Sequence, residues 1–144
     1  MDPFNLRLQV ANSNLAIPLH LEIHLDNQVL VSQTISEPVL IDCTAVDLAE
    51  GAHQLKFVMT GKIPAHTVLD ADGNIVSDAV LQFSAVEFDD VNVDTLLQKL
   101  GQYTHNFNGS GNSVTETFYH VMGCTGSLSL EFTSPVHLWM LEHM

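Results

Sequence analysis

Apolar and polar side chains alternate along most of this 144-residue chain, and that alternation limits its fold more than any other feature. After Gly51, His53, Leu55, Phe57 and Met59 alternate with Gln54, Lys56, Val58 and Thr60. A period of two residues is the period of a β-strand with one buried face. Comparable patterns predict further strands over residues 4–10, 17–25, 29–35, 39–43, 80–88 and 128–132.

The connections between these segments favour antiparallel neighbours. Asp26-Asn27 predicts a tight hairpin turn, and a shift of phase near Ala85 and Val86 predicts a bulge. After Ser134-Pro135, residues 136–141 are interpreted as a final strand. Residues 101–126 are rich in Gly, Asn, Ser and Thr, which predicts a long ordered loop or a pair of short strands.

One segment has a helical period. Val93, Leu96, Leu97 and Leu100 fall at i, i+3, i+4 and i+7, so a short helix is expected over residues 93–100. The sequence therefore predicts an all-β fold: a two-sheet antiparallel β-sandwich over residues 1–144, of the jelly-roll or carbohydrate-binding-module type, with one short helix.

The composition of the chain indicates which classes of partner it can bind. A net charge of −13 repels phosphate groups, so we expect no nucleic-acid binding. No apolar run approaches the roughly 18 residues that cross a bilayer, so we expect no membrane insertion. Charged residues make up 15% of the chain against about 25% in an average domain. The low charge, beside 46% hydrophobic residues, indicates that part of the surface contacts other subunits.

Aromatic and imidazole side chains near the C-terminal half are the candidates for binding sugar. Pyranose faces stack on aromatic rings, while polar side chains hydrogen-bond to hydroxyl groups. The candidates are Tyr103, His105, Tyr119, His120 and Trp139. The alternative is that Trp139 and Phe118 pack the core or a subunit contact.

Two groups of residues are candidate metal ligands. His20, Glu22 and His24 are two positions apart, so their side chains share one face of a strand. Asp70, Asp72, Asn74 and Asp78 place oxygen ligands suited to Ca²⁺ around a turn. The alternatives are the solvent face of a strand and an ordinary turn at Gly73. Calcium is thus the one candidate cofactor, and none is expected to be required.

Catalytic signatures are missing from the sequence. There is no Gly-x-Ser-x-Gly elbow, and Asp89-Asp90 would point to opposite faces of an extended chain. Cys124 has only His120 nearby in sequence as a base. We therefore expect a protein that is not an enzyme.

Residues 22–93 resemble the calcium-dependent xylan-binding type of carbohydrate-binding module. The resemblance rests on the Asp26-Asn27 turn, on the strand Val46-x-Leu48-x-x-Gly51-x-His53-x-Leu55-x-Phe57, and on Val86-x-Phe88-Asp89. It implies a small β-sandwich. In that family an acidic, Asn-rich loop after the Gly-x-His strand supplies calcium and sugar ligands, and the corresponding stretch here, residues 61–78, departs from that pattern.

The second half of the chain resembles small proteins encoded by marine and cyanobacterial tailed phages. The motifs are YTHNFNG at 103–109, FYHVMGCTG at 118–126 and SPVHLWMLEHM at 134–144. This resemblance implies a structural component of a virion (capsid-decorating, fibre or tail-associated) that is synthesised in the host cytoplasm. Its implied partners are other virion proteins or further copies of the chain, with a host-surface glycan as another candidate. The alternative function is a free-standing carbohydrate-binding module or lectin, assisted by calcium.

Overall fold

A computed structural model describes residues 2–144, apart from the side chains at positions 2, 46 and 47. Within that range the chain forms thirteen strands and two α-helices. The strands are β1 (Asp2–Asn12), β2 (Leu19–Leu25), β3 (Gln28–Ile35), β4 (Val39–Leu48), β5 (Gly51–Thr60), β6 (Val68–Leu69), β7 (Ile75–Ser77), β8 (Leu81–Phe88), β9 (Val91–Asn92), β10 (Gln102–His105), β11 (Val114–Thr117), β12 (Val121–Met122) and β13 (Gly126–Ser134). The helices are α1 (Asp94–Leu100) and α2 (Val136–His143).

Two antiparallel sheets pack face to face. Sheet A has the strand order β12–β8–β1–β4, with β9 paired to β8, and sheet B has the order β11–β10–β13–β5–β2–β3. Rings from the two sheets meet between them: Phe4 stacks on Phe132 at 5.2 Å, and Phe57 contacts Phe83 at 5.8 Å. The predicted all-β, two-sheet antiparallel fold is thereby confirmed.

The core follows the alternation in the sequence. Along β2, Leu19, Leu21, Ile23 and Leu25 are buried, while the residues between them are half-buried on the outer face of sheet B. Five phenylalanines are fully enclosed, and burying each of them contributes about 2–3 kcal/mol. They are Phe4, Phe57, Phe88, Phe118 and Phe132.

The predicted turn and bulge are both present. Asp26 adopts a positive φ of 54° between β2 and β3, as a tight hairpin turn requires. In β8, Ala85 has a φ of 50°, and the register with β1 shifts between Arg7 and Gln9. The extra residue opposite β1 explains why the alternation changes phase there.

The prediction of a final strand over residues 136–141 was wrong, because this segment is helix α2. Nearly every residue in it is apolar, so its period could not be determined from the sequence. The structure buries Val136, Trp139 and Met140 at helical spacing and leaves Leu138 and Leu141 exposed. The fold therefore has two α-helices where one was expected. Neither helix within residues 2–144 is long and apolar enough to cross a membrane.

A small hairpin stands outside both sheets. Strands β6 and β7 pair only with each other, and residues 63–77, which we call the hairpin arm, carry exposed apolar side chains. These are Ile63, Val68, Leu69, Ile75 and Val76. The arm follows β5 of sheet B and leads to β8 of sheet A, and the side chains of its flanking residues, Lys62 and Asp78, form an ion pair.

Candidate functional site

A cleft of about 320 Å³ lies at the β10–β11 edge of sheet B. We call it the aromatic cleft. Its lining joins strands β10 and β11 to the segment that leads through β12 towards β13. The lining residues are Tyr103, His105, Phe107, Glu116, Thr117, Tyr119, Val121, Gly123 and Cys124.

The rings along β10 lead from the core to the surface. Tyr103 and His105 are two residues apart on one strand, so they share a face, and their rings lie 4.9 Å apart. The ring of Phe107 meets that of His105 edge-on at 4.8 Å. Tyr103 is 4% exposed and His105 7%, whereas Phe107 is 45% exposed and Tyr119 66%. The two inner rings are therefore a fixed base, and the two outer rings are available to a ligand.

A strained turn directs Phe107 outwards. Phe107 and Asn108 both have left-handed backbone conformations, with φ of 56° and 59°. Such a conformation costs a bulky residue about 1–2 kcal/mol. The carboxamide of Asn106 offsets part of this cost, because its Oδ1 accepts the N–H of Gly109 at 2.9 Å.

Hydrogen bonds fix the two inner rings. The hydroxyl of Tyr103 donates to the carbonyl of Cys124 and accepts the N–H of Cys124 at 2.8 Å. Burial raises the pKa of Tyr103, so this hydroxyl stays protonated. Nδ1 of His105 accepts the N–H of Phe107 at 3.2 Å, which leaves the proton on Nε2, 3.4 Å from Oε1 of Glu116.

A buried ion pair supports the floor of the aromatic cleft. The side chain of Lys62 is 1% exposed, and its ammonium lies 2.6 Å from Oδ1 of Asp78 and donates to the carbonyl of Gly123. Burial alone would raise the pKa of Asp78, but Lys62 and donors from Thr67 and Ala79 outweigh it and hold that pKa below its usual value. This arrangement fixes Gly123 beside the cysteine that holds Tyr103.

Cys124 is poorly suited to act as a nucleophile. Burial raises the pKa of its thiol, against the opposing effect of Lys62, so the reactive thiolate is disfavoured at neutral pH. Cys43 and Cys124 are both free thiols.

The aromatic cleft contains three of the five predicted sugar-binding residues: Tyr103, His105 and Tyr119. His120 is placed elsewhere, where its Nε2 contacts Oε1 of Gln98 on α1 at 3.1 Å. Trp139 is buried against the rings of Phe88 and Phe132, as the alternative interpretation proposed.

Six residues of the aromatic cleft were not among the sequence candidates, and two of them, Phe107 and Glu116, offer a ligand an exposed ring and an exposed carboxylate. Phe107 continues the spacing of Tyr103 and His105, so the pattern in the sequence could have identified it. Glu116 lies opposite Tyr103 in the β10–β11 register, and its position depends on a strand pairing that the sequence did not specify.

The first group of candidate metal ligands lies in a row on the outer face of β2. Nε2 of His24 is 2.9 Å from Oε1 of Glu22, and Nε2 of His20 is 3.7 Å from Oε2 of the same carboxylate. His20 also contacts the hydroxyl of Ser32 at 2.9 Å. The three side chains thus share one face, and Nε2 of each histidine contacts a protein group.

The second group is divided between two local structures. Oδ1 of Asp70 accepts the N–H groups of Asp72 and Asn74, both at 2.9 Å, and these donors, that of Asn74 foremost, lower the pKa of Asp70. Asp78 instead pairs with Lys62. Within residues 2–144, apart from the three undescribed side chains, no group of three or more His, Cys, Asp or Glu residues is arranged to hold a metal. Calcium binding stays a prediction.

A larger cleft, of about 730 Å³, lies between the β2–β3 turn and the β4–β5 turn. Its most polar feature is His53, with Nδ1 2.7 Å from Oδ2 of Asp26 and Nε2 2.6 Å from the carbonyl of Ala49. Neither acceptor carries a proton, so the ring makes both bonds only as an imidazolium. Burial would lower the pKa of His53, but Asp26 and Ala49 raise it overall. The ring has no free nitrogen for a ligand, and this cleft lacks the exposed rings of the aromatic cleft.

Compared with protein-family models, with curated proteins and with solved structures, the chain matches none of them.

Proposed function

We propose that this protein is a non-enzymatic carbohydrate-binding protein, and that the aromatic cleft is its sugar-binding site. The observation that carries the proposal is the pairing of exposed Phe107 and Tyr119 rings with the Glu116 carboxylate around one cleft. Sugars present apolar C–H faces and hydroxyl groups together. The rings match the first, and the carboxylate and the Thr117 hydroxyl match the second.

The fixed base favours affinity. When binding orders a mobile side chain, the loss of conformational entropy weakens the binding free energy by about 0.5–1.5 kcal/mol for each such side chain. Here Tyr103 and His105 are already held by hydrogen bonds to Cys124 and Phe107. The net charge of −13 favours neutral sugars over acidic ones.

The proposed location is a phage virion, where the protein would be a capsid-decorating, fibre or tail-associated component. This part of the proposal rests on the resemblance of residues 103–109, 118–126 and 134–144 to tailed-phage proteins. A sugar-binding site on such a component would contact glycans on the host surface.

Virion assembly without sugar binding is the second candidate function, and the hairpin arm favours it. Four of its apolar side chains (Val68, Leu69, Ile75 and Val76) are exposed on strands that pair only with each other. Exposed apolar clusters of this kind mark contacts with other proteins.

Affinity electrophoresis in native gels with and without xylan or mixed neutral polysaccharides tests the sugar-binding proposal, in the presence of calcium and of EDTA. We expect the polysaccharide to retard the wild type, and Phe107→Ala and Tyr119→Ala to migrate freely. Leu40→Ala is the matched control, since it truncates an exposed apolar residue outside the cleft. If the polysaccharide retards the wild type and the three variants equally, or retards none of them, the aromatic cleft is not a sugar-binding site. A requirement for calcium would separately support the calcium prediction.

Immunogold electron microscopy of purified particles tests the location. Regular label on heads or tails is the expected result. Unlabelled particles beside soluble protein in the same lysate would reject a virion component and leave the sugar-binding site to be judged by the gels alone.

A further inference from the structure

A second groove, of about 360 Å³, lies on the outer face of sheet B. We call it the Trp139 groove. Polar side chains from three strands form its floor, and α2 forms one wall. Its principal residues are Gln54, Gln102, Ser129, Glu131, Trp139 and His143.

Strand register sets the spacing of the floor. Gln102 pairs with Ser129 across β10 and β13, and Gln54 pairs with Glu131 across β5 and β13. Directly opposed side chains are about 5 Å apart. The four polar groups thus form a compact block. None of these four side chains makes a hydrogen bond to any other side chain or backbone group that the structure describes, so each can bind a ligand.

The wall contributes a donor that the fold itself does not use. Trp139 is 4% exposed, and its indole N–H makes no hydrogen bond to any residue in the described part of the chain. The indole N–H is nevertheless not fully enclosed, because Ser134 Oγ is the only fully enclosed side-chain nitrogen or oxygen without a hydrogen-bond partner among the described residues. Because Trp139 lines this groove, we take the exposed part of its indole N–H to face the groove.

His143 completes the wall. Its ring lies 4.9 Å from the indole, and its Nδ1 donates to the carbonyl of Trp139 at 2.8 Å. Nδ1 therefore carries the proton in the neutral ring, and Nε2 is left as an acceptor. The side chain of Leu100 adds an apolar surface.

We propose that the Trp139 groove is a second carbohydrate-binding site, which takes a short neutral saccharide. Two carboxamides and a serine hydroxyl both donate and accept, as sugar hydroxyls do, and the indole and Leu100 offer an apolar wall to a ring face. Glu131 and the net charge of −13 disfavour anionic ligands. The volume is near the lower end for ligand pockets, which suits one or two sugar units better than a long chain.

This site has the same ligand class as the aromatic cleft but shares no residue with it, so either can fail alone. The chain has one tryptophan, and its indole N–H therefore gives a single, assignable NMR signal from this groove. The test is an NMR titration of ¹⁵N-labelled protein with neutral pentoses, hexoses and their disaccharides, up to about 100 mM, which covers millimolar binding. Galacturonic acid is the anionic control.

The wild-type indole signal is expected to shift saturably with at least one neutral sugar. Gln102→Ala and Glu131→Ala change exposed side chains and leave the core intact. Each should weaken the response by up to about tenfold, the effect of losing one hydrogen bond to the ligand. Tyr119→Ala should leave the response unchanged.

Three results would overturn the proposal: no indole shift with any neutral sugar in the panel, an unchanged response in both groove variants, or a response abolished by Tyr119→Ala. The third would assign the sugar to the aromatic cleft alone. Free migration of Tyr119→Ala in the polysaccharide gels, with its indole response retained, would confirm two separate sites.

Discussion

Replacing Lys62 by Met should destabilise the protein by about 3 kcal/mol. Removing one member of a buried ion pair typically costs 3–5 kcal/mol, because the remaining charge is left buried without its partner. The lower end applies here, since the side chain of Asp78 is 24% exposed and keeps its bonds to Thr67 and Ala79. The carbonyl of Gly123 also loses its donor.

Urea unfolding at neutral pH, followed by the fluorescence of Trp139, measures this cost. Asp78→Asn should also destabilise the protein, since it leaves the enclosed Lys62 ammonium without a counter-charge. The double variant should be more stable than the sum of the two single effects implies, with a coupling of about 2 kcal/mol for groups in direct contact. Lys99→Met is the control: this lysine is exposed on α1, and its loss should change stability by less than about 0.5 kcal/mol.

Acid should weaken the same ion pair. The pKa of Asp78 is lower in the folded protein than its usual value of 3.8. Its contribution to stability is therefore full above that value and is lost as the pH falls through the folded pKa.

If Lys62→Met is as stable as Lys99→Met, or if the effects of Lys62→Met and Asp78→Asn simply add, the ion pair does not support the floor of the aromatic cleft as described.

Three further outcomes are expected. The pKa of His53 is raised above its ordinary 6.5, so the stabilising effect of this histidine should be full below pH 6.5 and decline as the pH rises through the folded pKa. Asp26→Asn should flatten this pH dependence of stability, measured by urea unfolding from about pH 6 to about pH 9. Parallel stability curves for the variant and the wild type would contradict the prediction. Gly126→Ala places a Cβ 2.3 Å from a backbone carbonyl of β10 and should lower the free energy of unfolding by about 2 kcal/mol or more. At Gly123 the atom nearest to such a Cβ is 3.9 Å away, so Gly123→Ala should be as stable as the wild type. Equal stability of the two variants would refute the packing described at Gly126. Phe132→Ala should cost about 3–5 kcal/mol, because this enclosed ring contacts the rings of Phe4, His53, Phe88 and Trp139. A loss below about 1 kcal/mol by urea unfolding would be inconsistent with that core.

The sequence predicted the strands best where burial has two clearly different sides. Along β2 each buried aliphatic residue is followed by a polar one, so Leu19, Leu21 and Ile23 could only face the core together. In α2 the apolar residues are nearly continuous, and helix or strand was decided by packing against Phe88 and Phe132. Local pattern carries little information when both faces are apolar.

Local spacing in the sequence also predicted part of the candidate site. Tyr103 and His105 are neighbours on one strand, so their spacing alone placed them together. Glu116 joined them through the pairing of β10 with β11, and Trp139 was directed elsewhere by the turn into α2. Contacts between distant segments depend on the tertiary fold, which single-sequence patterns do not specify.

The ion pair between Lys62 and Asp78 has a practical consequence for engineering. It joins the two ends of residues 63–77, so the ends of this segment are held together by groups that lie outside it. Closing a loop costs only about 0.6 kcal/mol more for each doubling of its length. A peptide tag or a small folded insert could therefore replace the tip between β6 and β7 and be displayed without rebuilding either sheet.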